Sequence, residues 1–335
     1  MPTLRQHDGE ISADRVKDAI NNGYDLDLDH VSIDGNLILS VAEAIKHERP
    51  TTDISFEDPK RITSHIRFHH CSFEERVDLS NVIFAQEISF GGSYFKEDVF
   101  FWPSSGGMPL LKSAEFQMRT DFSFAKFDKV ADFCYARFKD HVSFKEVVFY
   151  GNANHVDFSH TKFDREADFD GAIFDREARF LGAQFHGITT FSSNTRFQKR
   201  AVFADALFYE EVWFYDVKFE DDADFQHVYF DRDAIFTHSK FKKDFLLNES
   251  RIKIMNLGKV EFGSESSISV ISLSGSYFDR LVKIRWNTLK DHLDLARNDE
   301  AVFLSLEKNF NELGLSEDAD QCRIYYRSNS TRRGS

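Results

Sequence analysis

The chain has 335 residues, a net charge of −14 and an isoelectric point near 5.4. That acidity disfavours direct binding to DNA, RNA or an anionic membrane, and leaves room for a basic partner or an acidic surface that imitates nucleic acid. There is no run of about 18 apolar residues, which excludes a membrane-spanning helix; three widely spaced cysteines and no signal peptide point to a reducing cytoplasm.

Residues 1–11 are polar and read as disordered. Ser12 is placed to cap a helix over Ala13–Asn22, and Gly23 to close it. Val16, Ala19 and Ile20 give that helix one apolar face, so residues 1–25 read as a cap for the open end of a repeat. From residue 26 apolar side chains fall in pairs two residues apart: Leu26/Leu28, Val31/Ile33, Leu37/Leu39. Ser40-x-x-Glu43 resembles a capping box and predicts a short helix over Val41–Arg49, an insertion near 40–52. The pairs return at Ile54/Phe56 and run through Ile66/Phe68, Cys71/Phe73, Ile88/Phe90 and Val99/Phe101. Pro103–Pro109 reads as a second inserted loop, near 103–113, and Ala114/Phe116 resumes the series.

Between Thr120 and Lys243 the beat is strongest. Phe122, Phe127, Phe133, Phe138, Phe144 and Phe149 lead to Phe158, and the series ends at Phe230, Phe236 and Phe241. Steps alternate between five and six, giving a period of eleven, with three extra residues before Phe158 and one before Phe197. Two residues ahead of most of these Phe stands Ala or Val, as at Ala131, Val142, Ala178 and Ala201. A helix is rejected, because residues two apart lie about 200° apart around it and residues five apart about 140°. In an extended segment residues i−2 and i share a face, so Ala and Phe point inward and the residue between points out. Outward positions are often charged (Asp132, Arg137, Lys162, Arg179), and Asp170-Gly171 or His186-Gly187 suit corners. The chain therefore reads as an all-β solenoid whose coils stack about 4.8 Å apart, with interior ladders of Phe and of Ala or Val.

The (A/V)-x-F-x-x pattern resembles the pentapeptide-repeat family, with Phe where Leu is commoner. The resemblance implies a right-handed quadrilateral β-helix with four segments per coil, here over residues 26–280. After Phe241 the beat fades into Leu247, Ile252, Leu257, Phe262, Leu273 and Phe278. Residues 281–335 read as a helical segment with a disordered tail. Trp286, Leu289 and Leu293 sit at helical spacing, as do Phe303, Leu306, Phe310 and Leu313 before Gly314; Ser316 caps a third helix carrying Ala319, Cys322 and Tyr326. Leu306-Glu307-Lys308-Asn309-Phe310, Asp318-Ala319-Asp320-Gln321-Cys322 and Tyr325-Tyr326-Arg327 resemble the tail of membrane-associated prokaryotic pentapeptide-repeat proteins. Three roles fit the tail: a cap, a homodimer contact through residues 281–327, or a join to a further segment.

No catalytic constellation stands out. There is no G-x-S-x-G elbow, phosphate-binding glycine loop or H-E-x-x-H helix, and no cofactor is expected. His65, His69, His70 and Cys71 are the densest set of metal-ligand types. Cys71 falls on an inward position and the histidines elsewhere, so the set does not converge and no metal site is expected from it. The acidic corners at Asp164 and Glu166, Asp175 and Glu177, Glu220–Asp222, and Asp231 and Asp233, with Arg165, Arg176 and Arg232 among them, read as a solvated, salt-bridged edge.

One surface departs from the rule that outward positions are polar. Leu207, Trp213, Tyr229 and Ile235 occupy outward slots. With four segments per coil, Leu207 lies over Tyr229 and Trp213 over Ile235 on the next wall, with Tyr209 and Tyr215 as extensions. Residues 201–239 also carry ten acidic residues against Lys218 and Arg232. An acidic rod with aromatic anchors points to a non-enzymatic, cytoplasmic scaffold that binds a protein partner there. Two other readings follow from the resemblance: a DNA mimic that modulates a type II topoisomerase such as gyrase, and a soluble regulatory domain of a membrane-associated assembly.

Overall fold

A computed structural model of the chain describes residues 2–39, 58–102, 112–151, 155–263, 269–293 and 299–330. The chain winds into a parallel-strand β-solenoid of about 11 turns. Its short strands hydrogen-bond to the strand four segments later, 22 residues on where nothing is inserted: Phe116 pairs with Phe138, and Phe163 with Phe185. Four segments per coil, inferred above only by resemblance, is thus visible in the register. Among the described residues, three walls run together into a 28-stranded sheet, and the fourth is a separate 10-stranded sheet.

The interior follows from strand alternation. Phe133, Phe158, Phe180 and Phe203 are fully buried, as are Ala131, Val156, Ala178 and Ala201 two residues before them. Along the axis the rings stack, Phe133 on Phe158 at 4.6 Å and 2°, and Phe180 on Phe203 at 4.7 Å and 2°. Across the interior they meet edge to face, Phe144 against Phe158 at 5.2 Å and 88°. Both geometries are favoured by the ring quadrupole.

Alternate corners are built alike. A turn closes from Phe133 to Ala136, whose N–H donates to the Phe133 carbonyl at 2.9 Å, and Tyr135 takes a left-handed φ of 57°. The same backbone recurs at Glu146, Asp205, Asp216 and His227, and glycine takes it at Gly171 and Gly182. A turn of this kind needs positive φ at its third residue, which glycine meets without steric penalty. The single extra residue before Phe197 is absorbed in such a corner, where Ser193 and Asn194 are both left-handed.

The disorder expected for residues 1–11 is not what the structure shows over residues 3–11. Thr3–Ser12 form strand β1, parallel to β2 (Asp25–Asp34), with Leu4 opposite Leu26 and Ile11 opposite Ile33. β1 is polar, and of its side chains only Ile11 is buried. What orders it is the row of backbone groups on the edge of β2. Helix α1 (Ala13–Asn21) follows, capped by Ser12, whose hydroxyl accepts from the Arg15 N–H at 3.3 Å. Its buried Ala13, Val16 and Ile20 lie against β1, β2 and strand Leu37–Ile38. The expected helix over 41–49 and loop 103–109 lie outside the described residues.

At the other end stand α2 (Trp286–Leu289), α3 (Glu300–Glu312) and α4 (Ser316–Ser330). No helix among the described residues is long and apolar enough to cross a membrane. α3 covers strand Tyr277–Val282. Buried Asn309 accepts from the Leu281 N–H at 2.9 Å and donates to the Leu281 carbonyl at 3.1 Å, doing what a further strand would do. Asp318 ties α4 to α2, accepting from the Trp286 N–H at 2.7 Å and from Arg285 Nε at 2.8 Å.

Two outcomes follow for this end. Asn309→Ala leaves both backbone groups of Leu281 buried without their partner, at about 1–3 kcal/mol for each such group. Hydrogen exchange is therefore expected to accelerate at Leu281 and through α3, while residues 120–240 keep their protection. The second outcome concerns acid. Burial alone would raise the Asp318 carboxyl, but Arg285 and the Trp286 N–H outweigh it and hold it below its ordinary value of 3.8. Its contribution is therefore complete above that value and is lost as pH falls through the lowered one. An acid titration of stability should show Asp318→Asn with a shallower acid limb than the parent.

Candidate functional site

The outward slots of strands Leu207–Phe208, Val212–Trp213 and Tyr229–Ile235 form the surface singled out above. Leu207 pairs in register with Tyr229, and Trp213 with Ile235. The two pairs lie on adjacent walls, on either side of the corner Tyr209-Glu210-Glu211. Trp213 is 42% exposed and Tyr215 43%, whereas Leu207, Tyr209, Tyr229 and Ile235 are half-buried. The apolar area that water can reach is accordingly concentrated on Trp213 and Tyr215.

Tyr209 does extend the surface: its ring meets Tyr229 at 6.3 Å and stacks on His186 at 4.5 Å. Tyr215 turns to the following corner and contacts His238 at 5.5 Å. Polar atoms at the edge are already engaged. The Trp213 indole N–H donates to Glu211 at 3.2 Å, and the Tyr229 hydroxyl donates to Asp231 at 2.8 Å. That bond keeps the Tyr229 phenol above its usual pKa. Two polar partners thus hold the two large rings in fixed positions beside carboxylates.

One member was missed. Tyr277 is in register with Arg251, which is in register with Tyr229, and it is 61% exposed. The column Leu207, Tyr229, Arg251, Tyr277 therefore carries the surface toward the helical end, and the Arg251 guanidinium lies 5.9 Å from the centre of the Tyr229 ring. The signal was present, since Tyr277 immediately precedes Phe278 and so occupies an outward slot.

The other candidate groups separate. Cys71 is buried, its thiol pushed up to about 11 by that burial, with Sγ donating to the Leu28 and His69 carbonyls. His69 contacts Ser89 at 3.2 Å. His70 instead turns toward Asp29 and His30. The acidic corners are largely ion-paired: Arg137 with Asp164 at 2.7 Å, Arg179 with Glu177 at 2.6 Å, Lys243 with Asp221 at 2.6 Å. Arg176 is an exception to the solvated edge. It is buried, and its guanidinium donates to the carbonyls of Phe127, Asp128 and Lys129, sealing the coil beside the three-residue insertion.

A family model described as pentapeptide repeats (9 copies) matches residues 155–193 and 193–240. No curated protein and no solved structure matches the chain. The matched residues coincide with the most regular Phe stacks, and the same register and the same ladders run on either side of them. Residues 155–240 therefore carry pentapeptide repeats, within a solenoid whose buried Phe ladder continues on either side of them.

Proposed function

We propose that the protein is a non-enzymatic, cytoplasmic scaffold that binds a macromolecular partner through the Leu207, Trp213, Tyr229 and Ile235 surface, with Tyr209 and Tyr215 at its margins. The observation that carries this reading is the register, which joins large apolar side chains on two adjacent walls, in outward slots that are more often charged or polar elsewhere. Repeat solenoids offer long, rigid surfaces of this kind. Exposed aromatic side chains held in place lose little entropy on binding and return about 25 cal/mol per Å² covered. Glu210, Glu211, Asp231 and Asp233 border the apolar pairs and favour a partner with basic groups at its rim.

The topoisomerase alternative fits less well. Arg196, Lys218 and Lys240 stack in register on one wall, which breaks the uniformly negative face that imitation of DNA requires. The regulatory-domain alternative rests on the tail, whose helices pack against the solenoid's last coil.

The test is a double substitution, Trp213→Glu with Tyr229→Glu. Both side chains are outside the ladder, so the melting temperature should stay within a few degrees of the parent, as for surface changes of about 0.5 kcal/mol. Partners recovered with the parent from its native host, or a parent dimer seen by light scattering, should be lost. A variant that binds as before places the contact surface elsewhere. Inhibition of supercoiling by the host's own gyrase, undiminished in the variant, would favour the topoisomerase reading instead.

A further inference from the structure

At the N-terminal end, three coils place three histidines around one carboxylate. Asp29 in β2 is in register with His7 in β1 and with His69 in strand Ile66–His69. His30 and His70 follow on the next corner, both left-handed, with φ of 55° and 50°. That backbone turns the two imidazoles to one edge, where they stack at 4.7 Å and 22°. His30 Nδ1 lies 3.0 Å from Asp29 Oδ1, His70 Nδ1 3.5 Å from the same oxygen, and His7 Nδ1 3.6 Å from Oδ2. The ligand atoms of Asp29, His30 and His70 all lie within 4.8 Å of one another.

The neighbouring coil leaves space for this arrangement. A Cβ on Gly92 would stand 2.5 Å from His70 Cδ2, so a side chain there would displace the ring. The separations also suit an ion. Bonds of about 2.0–2.1 Å from nitrogen or oxygen to a tetrahedral cation put neighbouring ligand atoms about 3.4 Å apart. The His30 and His70 nitrogens lie 3.0 and 3.5 Å from Asp29 Oδ1.

We propose that Asp29, His30 and His70 bind one divalent transition-metal ion of the zinc class. Imidazole with a single carboxylate selects such ions over calcium or magnesium, which prefer oxygen ligands throughout. The imidazoles are exposed, so the ion enters from solvent without opening the coil. Once bound, it ties the corner after β2 to the corner after strand Ile66–His69 in the next coil. An ion that binds only the folded state raises stability in proportion to its occupancy.

The experiment adds Zn²⁺ alone to chelator-stripped full chain, read by calorimetry and by thermal melting. The parent should take up one equivalent and melt at a higher temperature. His30→Ala with His70→Ala should weaken binding about tenfold or more and remove the thermal shift, with an unchanged circular dichroism spectrum. Asp29→Asn should do the same, and it decides the matter if the double variant does not fold. His160→Ala with His227→Ala, at a distant corner, should bind as the parent does. Absence of micromolar Zn²⁺ binding by the parent would overturn the proposal, as would parent-like affinity in both Asp29→Asn and the double variant.

Discussion

A phenylalanine ring stacked on its counterpart one coil away is the interaction on which the structure depends. Parallel strands stand about 4.8 Å apart. Phe180 and Phe203 stack at 4.7 Å, and Phe203 and Phe225 again at 4.7 Å. Backbone hydrogen bonding and ring stacking therefore ask for the same rise. Neither has to be stretched to satisfy the other, and identical side chains repeat at identical heights. A large ring on one slot needs a small side chain two residues earlier, which is why Ala and Val fill the i−2 positions. Because the interior of the central coils is filled this way, the outward slots there are free to vary.

A stack of this kind is vulnerable where its repeat is interrupted and where it stops. On the wall that carries the irregular step before Phe158, the buried Arg176 guanidinium reaches across one coil to the carbonyls of Phe127, Asp128 and Lys129. The one-residue insertion is absorbed by a second left-handed residue at one corner. The C-terminal edge is closed by Asn309, whose amide copies the hydrogen bonds of a strand. At the N-terminal edge α1 packs on the coil, while β1 adds a strand with few buried side chains.

The ladder was legible in sequence because one chemical type recurs at fixed spacing and two positions in five face inward. The helical ends were legible too, since Trp286, Phe303, Leu306 and Phe310 keep helical spacing. β1 was not, because an edge strand held by backbone bonds needs no apolar alternation. Nor were the left-handed corners, where Tyr135, Glu146 and Asp205 stand in a conformation usually announced by glycine. Outward neighbours such as Leu207 and Tyr229 followed once four segments per coil were assumed. Tyr277 was readable in the same way, from its slot before Phe278, whereas the Asp29 cluster was not. The inserted residues between Leu39 and Ile66 hide which coil neighbours lie together, so His30 and His70 look unrelated in sequence.

Both surfaces discussed above inherit their geometry from the register of the Phe stacks, so the stack itself is the claim to test. Phe203 sits on Phe180 and Phe225 and meets Phe191 edge to face at 5.5 Å. Thermal and denaturant melting of Phe203→Ala and Phe203→Asp is the direct measurement. The account predicts a loss of about 3–5 kcal/mol for Phe203→Ala, and no cooperative transition for Phe203→Asp, where an unpaired charge is added to the lost ring. A soluble Phe203→Asp chain that melts cooperatively near the parent temperature would contradict it.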